Sequence, residues 1–446
     1  MTGNNMYIHW PKTDLPDGFE DAASYLRHLV EEGARKRYGC IDTRISERMK
    51  EELNCLKGYE PYFLVLYDIV EYYKGKKIFV TACHDSVACS IVNYCLGITM
   101  VDPLKWALPF GQFFLETEMD FPHVELMVDE EGNCAETALS YLERKYGYGC
   151  VTNVYDRYED STTYYGSSTR IPSVDSYTIF FFDKPFEEAV GAIPVRGSFC
   201  YSEEDIPKYS KEILDELGYM HVVIHPIYVS SDLLSEIERE TGINYLMEDI
   251  PLDDMETYDN LAEGEAPEGS FDRDWMYFCS EVRPQCEIGF WDLCNVLSLG
   301  YHSSFELYIK RKKNVDENKD DSPVSQILEN TLGMVLYQEQ IIEILQRFTG
   351  MDYREAEKTR RDLRSYDDKK IDSCAETIMK GCLKNGLTQK EAFHILNLIL
   401  TNVHATSNFS HIIYHALNTY REAWLRVHFP EQYQKLKEKN EDDDLF

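Results

Sequence analysis

Positive charge is what this chain lacks most: 45 Lys and Arg stand against 79 Asp and Glu, a formal net charge of −34. Nucleic-acid binders draw much of their affinity from Lys and Arg that neutralise phosphates. A broad phosphate-gripping surface is therefore excluded, and only a local basic groove survives under such a total. Long apolar runs are missing too: no stretch of about 18 apolar residues exists, so no membrane-spanning helix is expected. The opening residues, Met1 to Asn5, carry neither the basic nor the apolar region of a signal peptide, which implies a cytoplasmic location. Thirteen Cys occur without a single CxxC pair, so they read as reduced thiols rather than a zinc or disulfide framework. Cys83, Cys89 and Cys95 recur at sixes, on no common helix face and at no zinc-ligand spacing. Solenoid-type repeats are absent as well.

What is present indicates a folded chain. Hydrophobic residues make up 43% and aromatics 13%, and 446 residues suffice for roughly two to four domains. Helical spacing of apolar positions runs over 18–36 and 45–57, and 62–73 is apolar enough for a buried helix. A short strand is expected at 77–81, a helix at 86–96, a buried strand at 124–128 and a helix at 134–146. Residues 151–176 are polar and Tyr-rich, with Ser167, Ser168 and Pro172 as breakers. Strands follow at 176–183 and 220–227, by β-branched and aromatic enrichment. The stretch 248–273, rich in acids with Pro and Gly, reads as a surface loop or linker, and 288–436 as helical throughout. The acidic 441–444 reads as a disordered tail.

A series of strings resembles one family in order and spacing. LGITMVDP at 96–103 is followed by FGQFFLETEMDFPH at 110–123 and VELM at 124–127. Later come LYQEQ at 336–340, the double Arg of Arg360 and Arg361, NFSH at 408–411 and YREAWLRVHFP at 420–430. In order and separation these resemble the bacterial DNA polymerase III α subunit, with its LGIT-x-x-DP, FERFLNPER, PDIDID, YQEQ, RRAMGKK, NKSH and YQTAWLKAHYP strings. The segments YLRHLVEEGARKRYG at 25–39 and GYEPYFLVLYDIVEYYKGKKIFV at 58–80 are similar to its entry into the palm. The resemblance implies an α+β fold: a polymerase-β-like nucleotidyltransferase palm, a mixed sheet with helices, plus an all-helical fingers domain. It divides the chain into a first palm part at 1–150, a vestigial thumb or loop at 151–175 and a second palm part at 176–230. An acidic linker at 231–287, fingers at 288–436 and a tail at 437–446 complete the division. No counterpart of the family's N-terminal PHP domain, or of the regions beyond its fingers, is expected.

Chemistry departs where packing persists. Template-directed synthesis uses two magnesium ions held by carboxylates, and magnesium takes oxygen ligands in near-octahedral geometry. At the two positions where the resembled family places paired aspartates stand His123 and Glu125, and Met127 follows. The third ligand falls in a later palm strand, where alignment puts Val223 at the aspartate. The glycine-rich phosphate loop becomes TACHDSVACS at 81–90, with His84 at the Arg, Asp85 opposing phosphate and Ser86 retained. The fingers keep Arg360 and Arg361 as residual phosphate contacts but lose both lysines of RRAMGKK.

Other candidates read more plainly. His221 and His225 share one strand face with Val223, where zinc with His123 competes with ordinary packing. His404 and His411, seven apart, share a face if one helix holds both. Lys310–Lys313 is either a phosphate-contacting cluster or a solvated loop. The sequence thus favours a pseudo-polymerase that needs no cofactor and serves as a binding or regulatory module. Its expected partner is a protein or a second copy, with DNA bound weakly and salt-sensitively and no membrane. The alternatives are a minimal polymerase that recruits Asp120, Glu125 and Asp129 around Mg²⁺, and an acidic nucleic-acid mimic.

Overall fold

Five short strands assemble in the order β1-β2-β5-β4-β3. They are β1 Val80–Ala82, β2 Glu125–Asp129, β3 Val151–Val154, β4 Tyr177–Phe181 and β5 Met220–Ile227. Among these five strands β2–β5 pair in parallel, while β1–β2, β4–β5 and β3–β4 are antiparallel. The computed structural model describes residues 8–82, 86–114, 122, 124–129, 134–154, 177–190, 211–227, 239, 250–263, 270–300, 304–314 and 322–434. His84, Asp85, Asp120, His123, most of the expected thumb remnant and the acidic tail lie outside them.

The chain divides into two units, residues 1–106 with 116–240, and residues 107–115 with 241–446. The first carries the sheet and the helices α1 Ala22–Tyr38, α2 Thr43–Cys55, α3 Glu60–Gly75, α4 Ile91–Cys95, α5 Cys134–Tyr146, α6 Phe186–Ala189 and α7 Lys211–Glu216. Asp21 caps α1 by accepting from the Ser24 N–H, and Gly39 closes it at φ 73°, a conformation that favours glycine. Leu126 and Val128 of β2 and Met220, Val222 and Ile224 of β5 are buried on one sheet face. Strand alternation then sends Glu125, Met127, Asp129, His221, Val223 and His225 to the other. The strand expected at 77–81 shrinks to Val80–Ala82, because Lys77 adopts a left-handed turn at φ 61°.

The second unit is helical: α8 Met255–Glu263, α9 Ser270–Val282, α10 Phe290–Leu299, α11 Phe305–Lys313, α12 Gln338–Thr349, α13 Tyr353–Leu363, α14 Asp368–Lys384, α15 Gln389–Asn402 and α16 Phe409–His428. A mixed α+β fold with an all-helical portion is thus what the residues build.

Several expectations are corrected. Residues 248–273 are not a plain linker: α8 and the start of α9 lie there, and Tyr258, Leu261, Trp275 and Phe278 of these helices are buried. Glu256 and Glu263 are exposed, and the acidic composition suggested a loop where an amphipathic helix stands. Residues 151–154, within the stretch expected to be a vestigial thumb or loop, form a strand paired with β4, and 155–175 lie outside the described residues. Residues 107–115, taken from sequence as palm, group with the helical unit, where a Cβ on Gly111 would fall 2.2 Å from the Tyr353 ring. The helix expected over 86–96 splits into a 3₁₀ turn Val87–Cys89 and α4, broken by the extended backbone of Ser90. His404 lies in the turn between α15 and α16, so it shares no helix with His411. Lys310–Lys313 form the last turn of α11 rather than a loop.

Candidate functional site

In the parallel register of β2 and β5, Glu125 stands directly beside Val223, and Met127 beside His225. On the far side Thr178 of β4 pairs with Val223. The row in which the resembled family would gather metal carboxylates therefore reads Glu125, Val223, Thr178: one acid, one aliphatic and one hydroxyl. Glu125 is itself engaged, since its Oε2 lies 2.8 Å from His225 Nε2. Both side chains are about three-quarters buried, with 21% and 24% exposed. Tyr62 holds the start of the strand by accepting from the Val124 N–H at 3.2 Å, and burial pushes its phenol well above the ordinary value.

The remaining acid of β2, Asp129, is buried and four residues from Glu125. That separation is about 13 Å along a strand, too far for two ligands of one magnesium. The same spacing separates His221 from His225, so they cannot share a zinc. Each has its own carboxylate, His221 Nδ1 lying 2.9 Å from Asp215 Oδ1. No group of three or more His, Cys, Asp or Glu able to hold a metal occurs among the described residues. Among the described residues, the donors on this face do not fit a two-magnesium site.

Residues 86–92 are built as a scaffold. Ser86, half-buried, opens the 3₁₀ turn by accepting from the Cys89 N–H at 2.9 Å. The first turn of α4 has its N–H groups occupied by an internal anion. Fully buried Glu52 of α2 accepts from Ser90 Oγ at 2.7 Å, Ile91 N at 3.0 Å and Val92 N at 3.1 Å. Arg48 Nε donates to the same carboxylate at 2.6 Å, and its Nη2 to the Cys89 carbonyl at 2.7 Å. Burial pushes the Glu52 carboxyl up, against the opposing pull of Arg48 and the backbone N–H groups.

In the helical unit Arg360 and Arg361 turn toward one acid on their own helix. Arg360 grips Glu357 through Nε and Nη2, both at 2.7 Å, and Arg361 Nε reaches it at 2.7 Å. Arg360 is 6% exposed, whereas 46% of the Arg361 side chain is exposed. Three of the four cations in Lys310–Lys313 are likewise engaged: Arg311 with the Leu332 carbonyl, Lys312 with Asp292 and Lys313 with Glu281.

The YQEQ string packs. Gln340 accepts from the backbone N–H of Leu336 and Tyr337 and donates to Thr331. Tyr337 donates to Asn295, which leads through Tyr308 to Asp292. Glu339 accepts from Phe409 N on both oxygens, at 3.0 and 3.1 Å, fastening the start of α16 to α12. The sequence reading left Glu52 and Glu357 unnamed, and Glu339 entered it only as a letter of LYQEQ. The signal for the first two was their i+3 or i+4 spacing to Arg48, Arg360 and Arg361.

Comparison with known proteins agrees with this architecture. The bacterial DNA polymerase III alpha NTPase domain matches residues 24–159, and the bacterial DNA polymerase III alpha subunit finger domain matches 228–386. The finger match starts well before 288 and takes in α8 and α9. An error-prone DNA polymerase of Hahella chejuensis is 25% identical, across 96% of this chain and 48% of its own length. A DNA polymerase III subunit alpha of Staphylococcus aureus is 24% identical, across 94% and 45%. The chain spans about half the length of these relatives. It belongs to the bacterial DNA polymerase III α family.

Proposed function

We propose that this chain is a catalytically degenerate member of its family, acting as a binding or regulatory module rather than as a polymerase. The observation that carries the reading is the engagement of Glu125. The carboxylate at the ligand position is tied to His225 and has Val223 where a second strand would supply its partner. Magnesium binding would have to break that pair and find further oxygen ligands on a face that offers Thr178 and Met127. The closed Glu357–Arg360 fork supports the same reading, because it holds phosphate-gripping groups in an internal ion pair. The reading with Asp120, Glu125 and Asp129 as rearranged ligands is disfavoured by the Glu125–Asp129 separation. The acidic-mimic reading rests on net charge alone.

Primer extension with Mg²⁺ or Mn²⁺ should give no incorporation above background. Template-dependent extension that Glu125→Gln abolishes would overturn the proposal. Proteins captured from the host by the full chain, or self-association in light scattering, would identify what the module binds.

A further inference from the structure

We propose that the corner of the sheet-bearing unit where α1 and α3 end is a docking site for the phosphate backbone of nucleic acid. Lys36 and Arg37 stand in the last turn of α1, Lys74 in the last turn of α3, and Lys76 and Lys77 in the turn that follows. Five cations thus fall at two helix ends in a chain whose net charge is −34, with Arg37 and Lys74 meeting over Gly97 and Lys76 lying over Tyr72. Acids near them include Glu71, 3.3 Å from Lys74, Glu32, one turn before Lys36 on α1 and 3.5 Å from His28, and Asp102, which accepts from Tyr38 at 2.8 Å. Lys36, Lys76 and Lys77 are exposed and make no ion pair among the described residues.

The cations are close and held in place. A Cβ on Gly97 would lie 2.2 Å from Lys74 Nζ and 3.6 Å from Arg37 Nη2. The two heads are therefore less than about 6 Å apart, where like charges repel appreciably. Arg37 stacks over the Tyr94 ring at 4.2 Å and Lys76 over Tyr72 at 5.0 Å, so aromatic faces fix both. Burial, with repulsion from Arg37 and Lys36, pulls the Lys74 ammonium below its ordinary value, against Glu71. Lys77 stands at φ 61°, a left-handed conformation uncommon outside glycine and enriched where strain serves function.

Helix ends explain part of the cluster. Cations in last turns answer the carbonyl ends of α1 and α3. That covers Arg37 and Lys74 but not Lys76 and Lys77, which lie beyond α3. A phosphate backbone suits the arrangement because its charges lie on the chain itself at short, regular intervals. An acidic peptide presents carboxylates on flexible stems. The net charge of −34 repels either polyanion at long range, so approach favours a local cluster of cations such as this corner.

The experiment is fluorescence anisotropy of a labelled oligonucleotide, single-stranded and duplex, with the full chain over about 20 to 200 mM salt. Lys36→Glu, Lys76→Glu and Lys77→Glu combined should weaken binding at least about tenfold and flatten the log–log salt slope by about two. Lys310→Glu with Arg361→Glu should change neither. Should the triple reversal fail to fold, Lys36→Gln, Lys76→Gln and Lys77→Gly remove the same charges and relieve the strained turn. These should give a smaller loss in the same direction. Absence of binding by the unsubstituted chain at the lowest salt would overturn the proposal. So would unchanged binding by a folded triple variant, loss caused by the helical-unit pair, or preference of the corner for polyglutamate.

Discussion

Removing the Glu52 carboxylate should cost more than any other single polar change in the sheet-bearing unit. Glu52 is fully buried and receives Arg48, Ser90 and the N–H groups of Ile91 and Val92. Breaking a buried ion pair by deleting one partner costs about 3–5 kcal/mol. Arg48 keeps 17% of its side chain exposed, which places Glu52→Gln at the lower end, near 3 kcal/mol. Glu52→Ala also strands three buried donors, at about 1–3 kcal/mol each. The total is limited by what it costs the five-residue α4 to unravel. For a unit of this size each kcal/mol lowers the melting temperature by about 2–4 °C. Scanning calorimetry should therefore show a drop of roughly 6–12 °C for Glu52→Gln and more for Glu52→Ala, confined to one transition. In a double-mutant cycle, Arg48→Met should cost far less in the Glu52→Gln background than alone. A loss below about 1 kcal/mol for Glu52→Gln, or strict additivity, would refute the argument that this carboxylate holds the loop.

Two further outcomes follow from single sites. Burial pushes the Glu339 carboxyl up to about 7, with Phe409 N–H and Arg360 pulling the other way. A raised carboxyl favours the protonated folded state, so this group's contribution is full below about pH 4.5 and is lost as pH rises through 7, by at most about 3 kcal/mol. Urea midpoints at pH 5 and pH 8 should differ less in Glu339→Gln than in the unsubstituted chain, and an equal difference refutes the assignment. Gly33→Ala should destabilise although alanine is the better helix former by about 1 kcal/mol. Its Cβ would fall 1.9 Å from the Cys95 carbonyl oxygen, forcing α1 off α4. Circular-dichroism melting should show a loss of about 3 kcal/mol or more, and any gain in stability would contradict the packing.

Much of the secondary structure was legible because periodicity is a local property. The helices at 22–38, 43–55, 60–75 and 134–146 and the strand at 220–227 lie close to where apolar spacing puts them. The order of the matched strings likewise carried the family and the α+β class. Where acids are interspersed in packed helices, as in α8 and α9, composition pointed to a linker. Only the burial of Trp275 and Phe278 reveals the helix beneath.

The candidate site divides along the same line. That a carboxylate was left at 125, without an acid at 223, is a matter of residue identity and could be read directly. What that carboxylate does depends on register. The β2–β5 pairing brings His225 to Glu125 across a hundred residues, a contact that a slip of one residue would turn to the opposite face. Glu52 reaches the first turn of α4 only because α2 packs there, and Glu339 holds Phe409 across 70 residues. The cationic corner needs two helix ends brought together over Gly97. Residue type sets which charges a chain carries, but partners are chosen by the packing that decides which of them meet out of water.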